Sequence, residues 1–137
     1  MKNPLVSIII RSKNEEKWIS HCLSMINKQS YQNFEIILVD NFSSDNTIKI
    51  AKRHNVKKIV KIKNFLPGKA INVGAKKAKG EYIVCVSAHC IPKNNNWLKI
   101  FVSNLTDAPK VAAVYGRQIP ISYSSPIDKR DLLITFG

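Results

Sequence analysis

Polar and apolar positions along the chain fall into blocks with two different periods. Leu5-Val6-Ser7-Ile8-Ile9-Ile10 is a largely β-branched run that ends abruptly in polar Arg11-Ser12-Lys13-Asn14, which predicts a buried strand. From Glu15 to about Lys28, Trp18, Ile19, Cys22, Leu23 and Ile26 recur on one helical face. Asn14 is the expected N-cap of that helix, and Glu15 and Glu16 suit the positive end of its dipole. Phe34 to Asp40 predicts a second buried strand, closed by a turn over Asn41 to Asn46. A short helix from about Asp45 to His54, capped by Ser44 or Asp45, comes next, followed by a weaker strand from Lys58 to Ile62. Pro67-Gly68 opens a third helix that Gly80 is expected to stop. Glu81 to Val86 predicts a fourth strand, Trp97 to about Leu105 a fourth helix, and Val111 to Tyr115 a fifth strand.

Apolar strands alternating with helices across short connections imply an α/β fold, a mostly parallel central sheet flanked by helices on both faces. Ligands of such sheets bind beyond the carboxyl ends of the strands. That rule directs attention to Arg11 to Glu15, Asp40 to Ser44 and Ser87 to Pro92, three polar segments at strand ends. Residues 1–117 read as the α/β domain. Residues 118–137, with two prolines and weak periodicity, read as an irregular tail or the start of a further segment.

Composition modifies this outline only slightly. The 137 residues carry 22 Lys and Arg against 9 Asp and Glu, a net charge of +13 that favours anionic partners of any kind. The lysines of Lys57 to Lys63 and Lys76 to Lys79 read first as an edge strand and a solvated helix face. Attraction to an anionic membrane surface is the minority reading. No recognition helix or stacking-aromatic motif accompanies the charge, so no nucleic-acid partner is expected. Three cysteines without paired spacing fit a reducing, cytoplasmic setting, with Cys22 and Cys85 expected as buried thiols. Trp18 and Trp97 fall on apolar helix faces and are expected in the core.

Neither a G-x-G-x-x-G loop nor a P-loop is present, which removes the dinucleotide and P-loop phosphate cradles. Asp40, closing a buried strand, could accept hydrogen bonds from a base or a ribose, or could simply cap its own turn. Three ordered blocks bear on that choice. They are Val6 to Glu16, Val39 to Thr47 with its Ser-x-Asp-x-Thr turn, and Gly68 to Gly74 followed by Ala78-Lys79-Gly80-Glu81-Tyr82-Ile83. Together they resemble family-two-type glycosyltransferases of the GT-A, Rossmann-like fold, from about Leu5 to Gly116.

The resemblance implies a nucleotide-diphospho-sugar donor, a saccharide or lipid-linked acceptor, and a role in polysaccharide biosynthesis, at the inner face of a membrane where the acceptor is lipid-linked. It implies base and ribose contacts from Ser12, Lys13 and Glu15, and a base contact from Asp40. The helix carrying Asn72 would lie beside the diphosphate. Ile71 stands where many members have Arg, so Lys69 is the nearest basic candidate. The family's metal-binding Asp-x-Asp is replaced here, with Ser87 at the first Asp and His89 at the second. His89 could serve as a lone ligand to Mn²⁺, or less aptly Mg²⁺; it could bond the diphosphate directly; or it could be structural. A zinc site from His89 and Cys90 lacks the partners that zinc requires. The family's general base lies in a later segment, so the 137 residues read as a fragment, and nothing places Asp128 or Asp131 in the site. A non-catalytic nucleotide-sugar-binding or partner-binding domain is the alternative, and an uncovered sheet edge would favour self-association.

Overall fold

A computed structural model describes residues 3–108, 110–122 and 124–136. Two units make up the chain, residues 1–103 and residues 104–137. The first unit is built on a four-stranded parallel sheet with strand order β3-β2-β1-β4. Its strands are β1 (Val6–Ser12), β2 (Phe34–Asp40), β3 (Lys58–Lys61) and β4 (Tyr82–Ser87). The helices are α1 (Ile19–Asn27), α2 (Thr47–Ala51), α3 (Pro67–Ala75) and α4 (Trp97–Thr106).

β1 and β2 occupy the centre because they are apolar on both faces. Ile8, Ile9, Ile10, Ile36, Ile37, Leu38 and Val39 are all fully buried, each adding roughly 1.5–3 kcal/mol of burial. Period-two alternation divides them between two cores. Val6, Ile8, Ile10, Ile36 and Leu38 pack with Ile19, Cys22, Leu23 and Ile26 of α1, Ala51 of α2, and Leu98 and Val102 of α4. Ile9, Ile37 and Val39 pack on the opposite face with Ile62 and with Ala70 of α3. Buried Gln29 joins two of these helices: its amide donates to the Met25 and Asn94 carbonyls and accepts from the Leu98 N–H at 2.9 Å.

Several expectations are corrected. α1 starts at Ile19 with Trp18 at its N-cap, not at Glu15. Asn14, at φ 52°, is turned away from capping because its side chain accepts the Ser44 N–H at 2.8 Å. α2 covers only Thr47–Ala51. α3 ends at Ala75, well before Gly80. Gly80 instead lies against β1, where a Cβ would come within 2.5 Å of the Ser7 backbone nitrogen. Val111 to Tyr115 forms no strand, and Val111 and Tyr115 are exposed. α3 packs on β1 and β2, and β4 accordingly shows a half-buried alternation in which Ile83 and Cys85 are exposed. Cys85 is thus not a buried thiol. Trp18 and Trp97 are half-buried.

In the second unit, α5 (Pro126–Phe136) forms within the segment read as a tail. Ser125 caps it, accepting the Asp128 N–H at 3.1 Å and donating to the Asp128 carboxylate. Among the described residues no helix is long and apolar enough to cross a membrane.

Two predictions follow from this packing. Gly80→Ala presses on backbone that cannot move aside and should cost about 1–3 kcal/mol in a denaturant titration, more than Gly74→Ala, whose new methyl meets only the Ile9 side chain. Burial, with Cys90 and Glu15 as further neighbours, pushes the Cys22 thiol up to about 12. A thiol reagent at pH 8 should therefore modify Cys85 in the native chain and reach Cys22 only on unfolding.

Candidate donor-binding site at the strand ends

The carboxyl ends of β2, β1 and β4 lie side by side, with Asp40 opposite Ser12 and Arg11 opposite Ser87. Parallel register alone thus brings together the three polar segments selected from the sequence.

Asp40 is fully buried, and its carboxylate organises the β1–β2 side. It accepts the Ser12 hydroxyl at 2.9 Å, the Ser43 N–H at 2.9 Å and the Ser43 hydroxyl at 2.5 Å. Phe42, at φ 48°, bends the backbone back so that Ser43 can reach it. The loops after β1 and β2 are then laced together. Asn14 N–H donates to Ser43, Glu15 N–H to Thr47 at 2.7 Å, and Glu16 N–H to Asp45, while Asn46 N–H donates to Glu16. Burial pushes the Asp45 carboxyl up, but hydrogen bonds from Thr47 and Glu16 outweigh it and hold the group below its ordinary value. Asp45 therefore stabilises the fold at and above the ordinary aspartate range, and that contribution is lost as pH falls through the lowered folded-state value.

The other expected residues are distributed around this knot. Lys13 is exposed and donates to the Asn41 carbonyl at 2.9 Å. Lys69 and Asn72 are exposed on α3, with the Lys69 ammonium 3.4 Å from the Lys63 carbonyl. Glu15 and His89, 74 positions apart, meet at 2.8 Å through Oε1 and Nδ1, with the glutamate side chain 16% exposed and the imidazole 57%. Ser87 turns to a different partner, accepting the Arg11 guanidinium at 2.5 Å. β4 ends at Ser87, where the Cys90 N–H closes a turn onto the Ser87 carbonyl at 2.8 Å, so strand alternation does not continue to His89.

These donors were compared with what a divalent cation needs. Among the described residues no three His, Cys, Asp or Glu side chains come together to hold a metal. Ser87 is already bound to a cation, and the His89 ring has one nitrogen engaged by Glu15. A doubly charged ion about 4 Å from the guanidinium would be repelled by roughly 8 kcal/mol at an effective dielectric of about 20, before any phosphate is counted. On its own residues the site does not fit a resident divalent cation.

Sequence reasoning missed two features. Arg11 was read as part of a polar turn, although alternation from Ile9 places it on the sheet face. Phe42, 46% exposed, has the ammonium groups of Lys61 and Lys63 at 5.7 and 5.8 Å from its ring centre.

This arrangement of sheet and strand-end loops is shared with glycosyltransferases of the GT-A fold. The chain matches the sequence profile of Glycosyl transferase family 2 over residues 7–134 and belongs to that family. A Methanococcus voltae enzyme, a dolichyl N-acetyl-alpha-D-glucosaminyl phosphate 3-beta-D-2,3-diacetamido-2,3-dideoxy-beta-D-glucuronosyltransferase, is 33% identical over 122 residues, 81% of this chain and 38% of that protein. Glycosyltransferase GlyG of Streptococcus pneumoniae is 36% identical over 66% of this chain and 32% of its own length. The chain thus spans about a third of the length of these curated relatives. The crystal structure of S. aureus TarS 1-349 in complex with UDP-GlcNAc superposes with a TM-score of 0.69 at 28% identity, covering 85% of this chain and 37% of that one. The Pyrobaculum calidifontis mannosyltransferase PcManGT, in complex with GDP-Man and Mn²⁺, shares the fold at a TM-score of 0.77 and 24% identity, over 97% of this chain and 39% of its own.

Replacing Asp40 by Ala would leave the Ser12 and Ser43 donors unpaired in a buried setting. The expected loss is about 3 kcal/mol of stability, read as a lower denaturation midpoint, with Ser12→Ala costing about 1 kcal/mol.

Proposed function

We propose that this chain is the donor-binding part of a glycosyltransferase that takes a nucleotide-diphospho-sugar across the ends of β2, β1 and β4. The observation that carries the reading is the convergence of Ser12, Asp40, Glu15, Ser87 and His89 at adjacent strand ends, on a chain matched along nearly its whole length by the family.

The base and ribose would sit over the laced loops. Lys13 and the free edge of Glu15 are the groups still able to reach them, and Asp40 acts by holding the floor and through whatever contact opening of its Ser43 bonds allows. The diphosphate would lie toward β4 and α3, within reach of Ser87, His89, Lys69 and Asn72. In the reaction an acceptor hydroxyl oxygen forms a bond to the anomeric carbon while the bond to the nucleoside diphosphate breaks. The hydroxyl proton passes to a general base, and the leaving diphosphate takes the electron pair. Charge stabilisation of that diphosphate is the part of catalysis these residues can provide. Asp128 and Asp131 are exposed and bonded to their own neighbours, Ser125 and Arg130, and we assign no base among them.

The acceptor we propose is a saccharide or lipid-linked saccharide of polysaccharide biosynthesis. A lipid-linked acceptor places the domain at the inner, cytoplasmic face of a membrane, where the +13 charge favours approach to anionic headgroups. A purely non-catalytic binding domain is the weaker reading, since the family match extends to residue 134.

Calorimetric titration with UDP, GDP and dTDP sugars provides the test. At least one is expected to bind with a Kd between about 1 µM and 1 mM, the span of ordinary enzyme KM values. Absence of binding by all of them would sink the proposal.

A further inference from the structure

Arg11 sits in the middle of the sheet, with Val39 of β2 on one side and Ser87 of β4 on the other. Its guanidinium carries five N–H donors, and among the described residues the acceptor that meets it is the Ser87 hydroxyl, 2.5 Å from a terminal nitrogen. The Nε is buried and has no hydrogen-bond partner among the described residues. Among the described residues no carboxylate forms an ion pair with it. The ion pairs formed among the described residues are His89 with Glu15 and Arg130 with Asp131. Cys85 and Cys90 lie within electrostatic reach of Arg11, but partial burial pushes both thiols up, so they stay neutral.

A half-buried cation with an unused donor and no carboxylate paired to it is a costly arrangement for a protein to keep for stability alone. It suits a site prepared for an anion that arrives later. A guanidinium presents paired N–H groups that match two phosphate oxygens at once, with no requirement for a metal's carboxylate ligands. Ser87, fixed by the same guanidinium, keeps a hydroxyl proton to offer to the anion. The position is also the end of β4, where the site is short of donors for a divalent ion.

We propose that Arg11, braced by Ser87, is the diphosphate-binding cation of this site, so that donor binding proceeds without a divalent metal. The inference rests on the nucleotide-sugar reading for the identity of the anion, though the anion site itself does not depend on a bound base. During transfer Arg11 would hold the two phosphates and stabilise the charge that gathers on them as the bond to the anomeric carbon breaks. Lys69, exposed and 3.4 Å from a carbonyl of its own chain, would be an auxiliary.

The test titrates the 137-residue chain with UDP, GDP, dTDP, the matching nucleosides and inorganic pyrophosphate, first with EDTA and then with Mn²⁺. In the wild type, diphosphate affinity should agree within about twofold between the two conditions. Arg11→Gln should weaken nucleoside diphosphate and pyrophosphate binding at least tenfold, about 1.4 kcal/mol, and leave nucleoside affinity unchanged. Arg11→Lys should retain part of the binding. A tenfold or greater gain on adding Mn²⁺ to the wild type, or unchanged diphosphate binding by a folded Arg11→Gln chain, overturns the proposal. The wild-type comparison and Arg11→Lys decide the matter if the Gln variant does not fold. Arg11-dependent pyrophosphate binding with no nucleotide binding would uphold the anion site while removing the nucleotide-sugar reading. Binding of none of these probes would remove both.

Discussion

The Asp40 carboxylate is the interaction on which the rest of the site depends. It is buried at the end of a central strand, and it is tolerated there because serine donors from two different loops converge on it. Those donors fix where the chain leaves β1 and where it turns after β2. Once the two exits are fixed, Asn14, Glu15, Glu16, Asp45 and Thr47 can exchange hydrogen bonds across the gap. The unusual backbone at Asn14 and Phe42 is the conformational cost of that closure. Asp40 thereby acts first as the keystone of the binding floor, whatever it later touches.

Electrostatics then distinguish the two sides of the crevice. On the β2 side a buried anion is fully satisfied by neutral donors. On the β4 side a half-buried cation has one neutral partner and an idle nitrogen. The unspent hydrogen-bonding capacity among these described groups is thus on the cationic, β4 side. His89 extends the same edge, oriented through Nδ1 by Glu15 and leaving its other nitrogen free of that contact. Ser87 and His89 have each found a partner within this chain.

Much of this was readable in the sequence, for reasons that can be traced residue by residue. β1 and β2 announce themselves because burial on both faces demands uninterrupted β-branched runs, and their polar exits mark the ligand edge. What failed were local rules overruled by distant partners. Asn14 has the chemistry of an N-cap, yet Ser44, 30 positions on, claims its side chain. Val111 to Tyr115 has the composition of a strand, but composition alone does not make one, and Val111 and Tyr115 stay exposed. Cys85 looked buried because β4 is apolar, although α3 packs on β1 and β2 and leaves that side of β4 open. Ser87 and His89 were visible as an anomaly, but their partners Arg11 and Glu15 are set by strand order, which no local pattern encodes. α5 was hidden because Ile127, Leu133 and Ile134 do not gather on a buried face.

The most direct test of the account is heteronuclear NMR of the labelled chain titrated with UDP in EDTA. Chemical-shift changes are expected at Ser12 to Glu15, Asn41 to Asp45 and Ser87 to His89, together with a shift of the Arg11 Nε–H resonance. Changes restricted to the lysine-rich surface of Lys76 to Lys79, with the strand ends and Arg11 silent, would contradict it.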